Sequence, residues 1–172
     1  MSALLVLGGA RSGKSRHAQV WAERHDGQLV FIATAQAFDA EMEERIARHR
    51  ADRDARWRTW DAPFNLPETI GQAAPGAAAV LVDCLTLWLT NLMLAGRDVD
   101  AASTALQGAV RACPCPIALV ANEVGFGIVP DNALARRFRD AAGRLNQQLA
   151  ASVDDVVLVV AGLPLTLKGA PA

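Results

Sequence analysis

Residues 8–15 read GGARSGKS, a full match to G-x-x-x-x-G-K-[ST]. The surroundings of the motif constrain the fold more than the match does. An apolar run, Ala3–Leu7, ends at Gly8, and a helical pattern opens at Lys14. A buried strand feeding a glycine-rich loop and then a helix lets backbone N–H groups turn inward around phosphate oxygens. The positive end of the helix lies behind them. Gly8, Gly9, Ala10, Arg11, Ser12 and Gly13 would form that cradle. Lys14 would reach the β- and γ-phosphates, and the Ser15 hydroxyl would bind Mg2+. A glycine-rich turn without a ligand explains neither Lys14-Ser15 nor the strand before them.

The rest of the chain repeats the strand-then-helix rhythm. Apolar runs at Ala3–Leu7, Leu29–Ala33, Ala78–Val82, Ile117–Ala121 and Val156–Ala161 are rich in Val, Leu and Ile and nearly continuous. Strands buried on both faces of a parallel sheet read this way. Trp57–Trp60 adds a short edge strand. Helical patterns fall at Lys14–His25, Ala40–Arg53, Leu85–Leu94, Ala101–Ala112 and Asn132–Ser152. With 172 residues and no linker, the expectation is one domain with a doubly wound, mostly parallel α/β sheet of the P-loop NTPase type, RecA-like. Ligands of such sheets bind beyond the carboxyl ends of the strands. Each polar motif sits at such an end.

Two of those ends carry carboxylates that matter. A P-loop needs an acid on a neighbouring strand to hold its metal, and Val80-Leu81-Val82-Asp83 supplies one. Asp83 could also cap the following helix. The segment Asn122–Pro130, NEVGFGIVP, follows another strand, and its two glycines and proline imply a loop of fixed shape. Glu123 could orient a substrate hydroxyl or simply stabilise the turn, and the sequence weighs both equally. A guanine-reading switch protein would carry N-K-x-D near here. NEVG is not that, which weakens the switch reading.

A different stretch poses the chemical question. Residues Arg45–Arg58 read RIARHRADRDARWR, holding six arginines around His49. From Glu41 to Arg58 those six face five acids, leaving a net charge of +1, and the whole chain carries −1. A nucleic-acid stripe needs unneutralised charge. Stacking readout is equally unpromising with 5% aromatics and no tyrosine. Glu41 to Arg45 and Glu44 to Arg48 are i,i+4 pairs of an ordinary solvated helix. Met42, Ile46 and His49 share one helical face, directed toward the protein body. His49 is therefore either a core-edge histidine or a nucleophile that attacks phosphorus, its neutral form favoured by the arginines around it.

Composition closes off other classes. At 52% hydrophobic and 20% charged, the chain is globular in character. Ala3–Leu7 is too short for a signal core, and no run reaches the length of a membrane span. Three cysteines, Cys84, Cys113 and Cys115, fit a reduced cytoplasmic protein. Cys113-Pro-Cys115 lacks a second ligand pair and reads as two small apolar residues before a strand.

Together GGARSGKSRHA, Ile32-Ala33-Thr34, the acidic-then-RIARHR helix, VDCLTLWLTNL (82–92), NEVGFGIVP and DNALARRFRDAAGRLNQQLA (131–150) resemble the bifunctional adenosylcobinamide kinase / adenosylcobinamide-phosphate guanylyltransferase family. The resemblance runs in order along nearly the whole chain. It implies two reactions. ATP or GTP phosphorylates the aminopropanol hydroxyl of adenosylcobinamide. GTP then guanylylates a histidine, and the GMP passes to adenosylcobinamide phosphate. His49 matches the guanylylated position. Arg50, Ala51, Asp52 and Arg53, with Ala33, Thr34 and Ala35, match nucleotide-contacting segments. Asp61 and Asp83 stand where the family often has glutamate. The resemblance also implies a homo-oligomer, a trimer, while the charge balance and short apolar runs argue for no nucleic-acid partner and no stable membrane insertion. A single-activity P-loop kinase using Lys14, Ser15 and Asp83 is the rival reading, and a nucleotide-dependent interaction switch is the non-enzymatic one.

Overall fold

The computed structural model describes residues 2–36 and 54–169. The helix expected over Ala40–Arg53, with His49 and the Arg50–Arg53 segment, lies outside the described residues. In chain order the elements are β1 (Ala3–Gly8), α1 (Lys14–Glu23), β2 (Leu29–Ala33), β3 (Trp57–Asp61), α2 (Leu66–Ala73), β4 (Ala79–Asp83), α3 (Leu85–Leu94), α4 (Val99–Ala112), β5 (Ile117–Asn122), α5 (Ala133–Ser152), β6 (Asp155–Val160) and β7 (Leu163–Lys168).

All seven strands form one sheet in the order β3-β2-β4-β5-β1-β6-β7. Every neighbouring pair is parallel except β6–β7. The continuous apolar runs follow from burial on both faces. Leu4 and Val6 pack with Ala18 of α1, while Leu5 and Leu7 face the other side with Leu66, Ile70, Trp88, Leu106 and Leu145 of α2 to α5. Each such buried side chain contributes roughly 1.5–3 kcal/mol. The expected edge strand at Trp57–Trp60 is β3; the helix starts expected at Lys14 and Leu85 hold, while those expected at Ala101 and Asn132 become Val99 and Ala133, where side chains cap the helices. Asp98 accepts the Ala101 N–H at 3.0 Å, and Asn132 accepts the Ala135 N–H at 2.7 Å.

Helix α3, apolar on nearly all sides, buries itself within the chain. Leu85, Trp88 and Leu92 enter the main core, and Leu89 meets Ala141 and Ala142 of α5. No described helix is long and apolar enough to cross a membrane.

Two elements are additions to the sequence reading. Helix α2 begins with Pro67 in its first turn, where proline's fixed φ is favourable. It buries Leu66, Thr69, Ile70 and Ala73, an i, i+3, i+4, i+7 stripe. Strand β7 returns antiparallel through a two-residue turn, Ala161-Gly162, whose φ angles of 52° and 80° suit a tight hairpin.

Cys113 and Cys115 are buried free thiols with Sγ atoms 3.9 Å apart, consistent with their reading as small apolar residues before a strand. The Cys115 thiol's hydrogen bond holds the Cys113 thiol below its ordinary range, and the same contact raises Cys115. Burial, and next the Asp83 carboxylate, push Cys84 up to about 11. Native-state alkylation with iodoacetamide should therefore modify Cys113 first. Its rate should climb and level off at lower pH than an ordinary thiol's, while Cys84 stays unmodified until the protein unfolds. Peptide mass mapping reads both results. Equal labelling of Cys84 and Cys113 in the native protein would contradict this ordering.

Candidate functional site

Strand register decides which residues meet. Gly8 stands beside Asn122 of β5 and Val159 of β6. Ala33 stands beside Asp61 of β3 and Asp83 of β4. The P-loop, both aspartates and the start of NEVGFGIVP thus share the carboxyl edge. Alternation of side chains sharpens this further. Gly8, Ala33, Asp61 and Asp83 all fall on the sheet face that carries α1, because Leu4, Val6, Phe31, Trp57 and Leu81 point that way.

The loop itself is tightly braced. Ser12 N–H reaches Gly9 O at 3.3 Å, Gly162 N–H donates to Ser12 O at 2.8 Å, and Glu123 N–H donates to Gly8 O at 3.0 Å. Gly8 has to be glycine, since a Cβ there would lie 2.6 Å from the Val159 carbonyl oxygen. Gly13, at the start of α1, has a φ of 97° and approaches the Cα of Gly162.

Lys14 opens α1, yet it is only 8% exposed. Its Nζ donates to Gly9 O at 3.1 Å. No carboxylate pairs with it among the described residues. A buried ammonium with one carbonyl partner is costly unless an anion completes its shell. Ser12 Oγ, also buried, has no hydrogen-bond partner among the described residues. Both features fit a cradle shaped for phosphate. Ser15 follows Lys14 in the first turn of α1 and is half-buried.

Asp83 ends β4, half-buried, and the cap position of α3 belongs to Cys84, which makes no side-chain cap. The capping alternative for Asp83 is therefore not realised. Glu123 takes the turn role: Oε1 accepts the Gly125 N–H at 2.6 Å.

Thr34 is fully buried and ties strand ends together. Its Oγ1 donates to Cys84 O at 2.7 Å and accepts the Cys84 N–H at 2.9 Å. Its carbonyl accepts from Asn91 Nδ2 at 2.9 Å. The Thr34 side chain thus holds the β2 end against the turn after β4, with Ala33 and Ala35 half-buried beside it.

Asn91, buried in α3, was visible in the sequence only as a break in an apolar run. It donates also to Pro63 O at 3.0 Å and so joins the segments following β2 and β3. Thr86 Oγ1 likewise accepts the Asn122 N–H at 2.7 Å. A lone amide amid leucines was the one available signal for Asn91.

Residues 4–167 match the family model described as cobinamide kinase / cobinamide phosphate guanyltransferase. The chain belongs to this family. It is 48% identical over 169 residues to the bifunctional adenosylcobalamin biosynthesis protein CobP of Pseudomonas aeruginosa, covering 97% of this chain and 98% of that protein. It is 43% identical over 180 residues to the bifunctional adenosylcobalamin biosynthesis protein CobU of Salmonella typhimurium, covering 96% and 99% respectively. Among solved structures it is similar to a KaiC-like protein from Pyrococcus horikoshii, with a TM-score of 0.51 at 11% identity, over 91% of this chain and 70% of that one. That likeness concerns the fold and agrees with a RecA-like sheet.

Proposed function

We propose that this cobinamide kinase / guanylyltransferase family member carries out both reactions on one P-loop. The carrying observation is Lys14, a buried cation whose one partner among the described residues is a carbonyl, which leaves it to be completed by a polyphosphate. In the first reaction the aminopropanol hydroxyl of adenosylcobinamide attacks the γ-phosphorus of ATP or GTP. The bond to the β-bridging oxygen breaks, and the nucleoside diphosphate leaves. Backbone N–H groups of the glycine-rich loop and the Lys14 ammonium would neutralise charge on the transferring group. Ser15 and Asp83 offer a hydroxyl and a carboxylate, hard oxygen donors suited to Mg2+ beside phosphate. When bound, Mg2+ would supply charge neutralisation on the polyphosphate.

In the second reaction His49 attacks the α-phosphorus of GTP and pyrophosphate leaves, giving a guanylyl-histidine. An oxygen of adenosylcobinamide phosphate then displaces the imidazole, forming adenosylcobinamide-GDP. By resemblance, Ala33, Thr34, Ala35, Arg50, Ala51, Asp52, Arg53 and Asp61 contact the nucleotide. The register of Asp61 with Ala33 supports a shared nucleotide edge. Self-association into a trimer also follows from the resemblance. The exposed row Leu163, Leu165 and Leu167 on edge strand β7 supports a partner copy there. A cytoplasmic location completes the reading.

Incubation with Mg2+ and α-labelled GTP, followed by denaturation, tests the intermediate. Acid-labile, alkali-stable label on the chain, absent from His49→Ala, is the expected result. Turnover of cobinamide without retained label would reduce the protein to a P-loop kinase and His49 to a structural residue.

A further inference from the structure

The transferred phosphate fixes where the acceptor lies. Its hydroxyl has to come within about 3–3.5 Å of phosphorus. The body of cobinamide must therefore rest on surface adjoining the P-loop mouth. That body is a flat, largely hydrocarbon macrocycle rimmed with amides. It calls for exposed apolar side chains on a stiff support.

One described segment offers both. The chain leaves β5 directly beside the P-loop, with Asn122 next to Gly8 and Glu123 N–H bonded to Gly8 O at 3.0 Å. It then presents Val124, Phe126, Ile128 and Val129, and Leu134 follows at the start of α5. Phe126 is 83% exposed and Ile128 97%. Such a run would be expected to fold away unless it binds something. The loop is braced at both ends. Glu123 holds the Gly125 N–H at 2.6 Å, while Arg136 Nη1 donates to Pro130 O at 2.9 Å and Asp131 O at 2.7 Å.

Other surfaces fit less well. A cleft of about 380 Å³ lined by Arg97, Arg137, Arg144, Asp100 and Asp140 is charged. A second, of about 420 Å³ beside Cys113, opens at the amino-terminal edge, opposite the P-loop. The β7 leucines start beside the P-loop at Leu163 but run from there along an open strand edge toward the opposite end of the sheet, which suits a strand partner.

We propose that the 124–134 loop is the corrinoid platform of the enzyme. Phe126 and Ile128 lie against the corrin face while the aminopropanol arm reaches past Gly8 toward Lys14. The assignment rests on the kinase and guanylyltransferase reading above.

The test is a Phe126→Ala/Ile128→Ala double variant, whose exposed positions leave the core untouched. Equilibrium dialysis with cobinamide, read by its visible absorption, gives the affinity. Steady-state kinetics give KM for cobinamide and for GTP, and light scattering gives the molar mass. Cobinamide Kd and KM should rise at least about tenfold. KM for GTP, molar mass and acceptor-free labelling from α-labelled GTP should stay unchanged. Phe126→Trp should retain affinity and gain a fluorescence that bound cobinamide quenches. Unchanged cobinamide affinity in the double variant would overturn the platform, as would a Phe126→Trp protein whose added fluorescence is not quenched. A loss of affinity that accompanies dissociation into smaller species would also overturn it, assigning the loop to contacts between copies. A parent protein that neither binds nor turns over cobinamide would instead sink the underlying reading.

Discussion

Lys14→Ala removes cobinamide phosphorylation and acceptor-free guanylylation together, each by about 10³-fold or more in kcat/KM, without lowering thermal stability. The rate loss follows from position. The ammonium is held inside the loop at the mouth of the cradle, where little water competes with it. Removing one preorganised charge from a developing phosphoryl transition state costs about 10²–10³, and more for a key phosphate-clamping cation. The stability arm separates this role from a structural one. Among the described residues Lys14 is a buried charge with one carbonyl partner, so its removal relieves desolvation and deletes little binding. Thermal unfolding without nucleotide should show a midpoint equal to or above the parent's. With GTP present the parent should be stabilised and the variant should not. Retention of one activity in Lys14→Ala would mean that the two transfers do not share the P-loop.

The sequence revealed the parts of this site that depend on local pattern. Strand β1, the glycine loop and α1 are contiguous, and each has a backbone reason to be what it is. The alignment of Asp61 and Asp83 with Ala33 was also within reach, because acids at the ends of parallel strands end up at one edge. Other features depend on segments meeting from afar. Helix α2 was hidden because Pro67 and Gly71 dilute its pattern, and burial against α4 and the sheet fixes it instead. Strand β7 was hidden because Pro164 argues against a strand, although an edge position without a donating N–H tolerates it. The Thr34–Cys84–Asn91 network could not be read at all. Thr34 resembled a nucleotide contact, and only the fold shows its hydroxyl engaged with a turn fifty residues later. The question opened by RIARHRADRDARWR turns on residues 45–53, outside the described part of the chain, and rests on the labelling experiment.

Trp88→Ala should be the most destabilising single change in the core, costing about 3–5 kcal/mol. Trp88 is fully buried among the α2, α3 and sheet residues of the main core. Its indole N–H donates to Phe64 O at 3.0 Å. Truncation opens a cavity and leaves that carbonyl without its donor. Such a loss consumes a large share of a stability of about 5–15 kcal/mol. Trp88→Phe isolates the polar part, keeping most of the volume and losing the hydrogen bond, for about 1–3 kcal/mol. The segment at stake follows Asp61. Asn91 grips it at Pro63, Trp88 at Phe64, and the Arg97 guanidinium lies 4.5 Å from the Phe64 ring centre. Helix α3 thereby sets the direction in which the chain leaves β3. Urea unfolding should show a large fall in midpoint for Trp88→Ala and a small one for Trp88→Phe. KM for GTP should rise in Trp88→Phe if Asp61 contacts the nucleotide as proposed, since a loosened Phe64 frees the Asp61 end of that edge. An unchanged KM in a Trp88→Phe protein of lowered stability would show that this clamp serves the fold and leaves the nucleotide site alone.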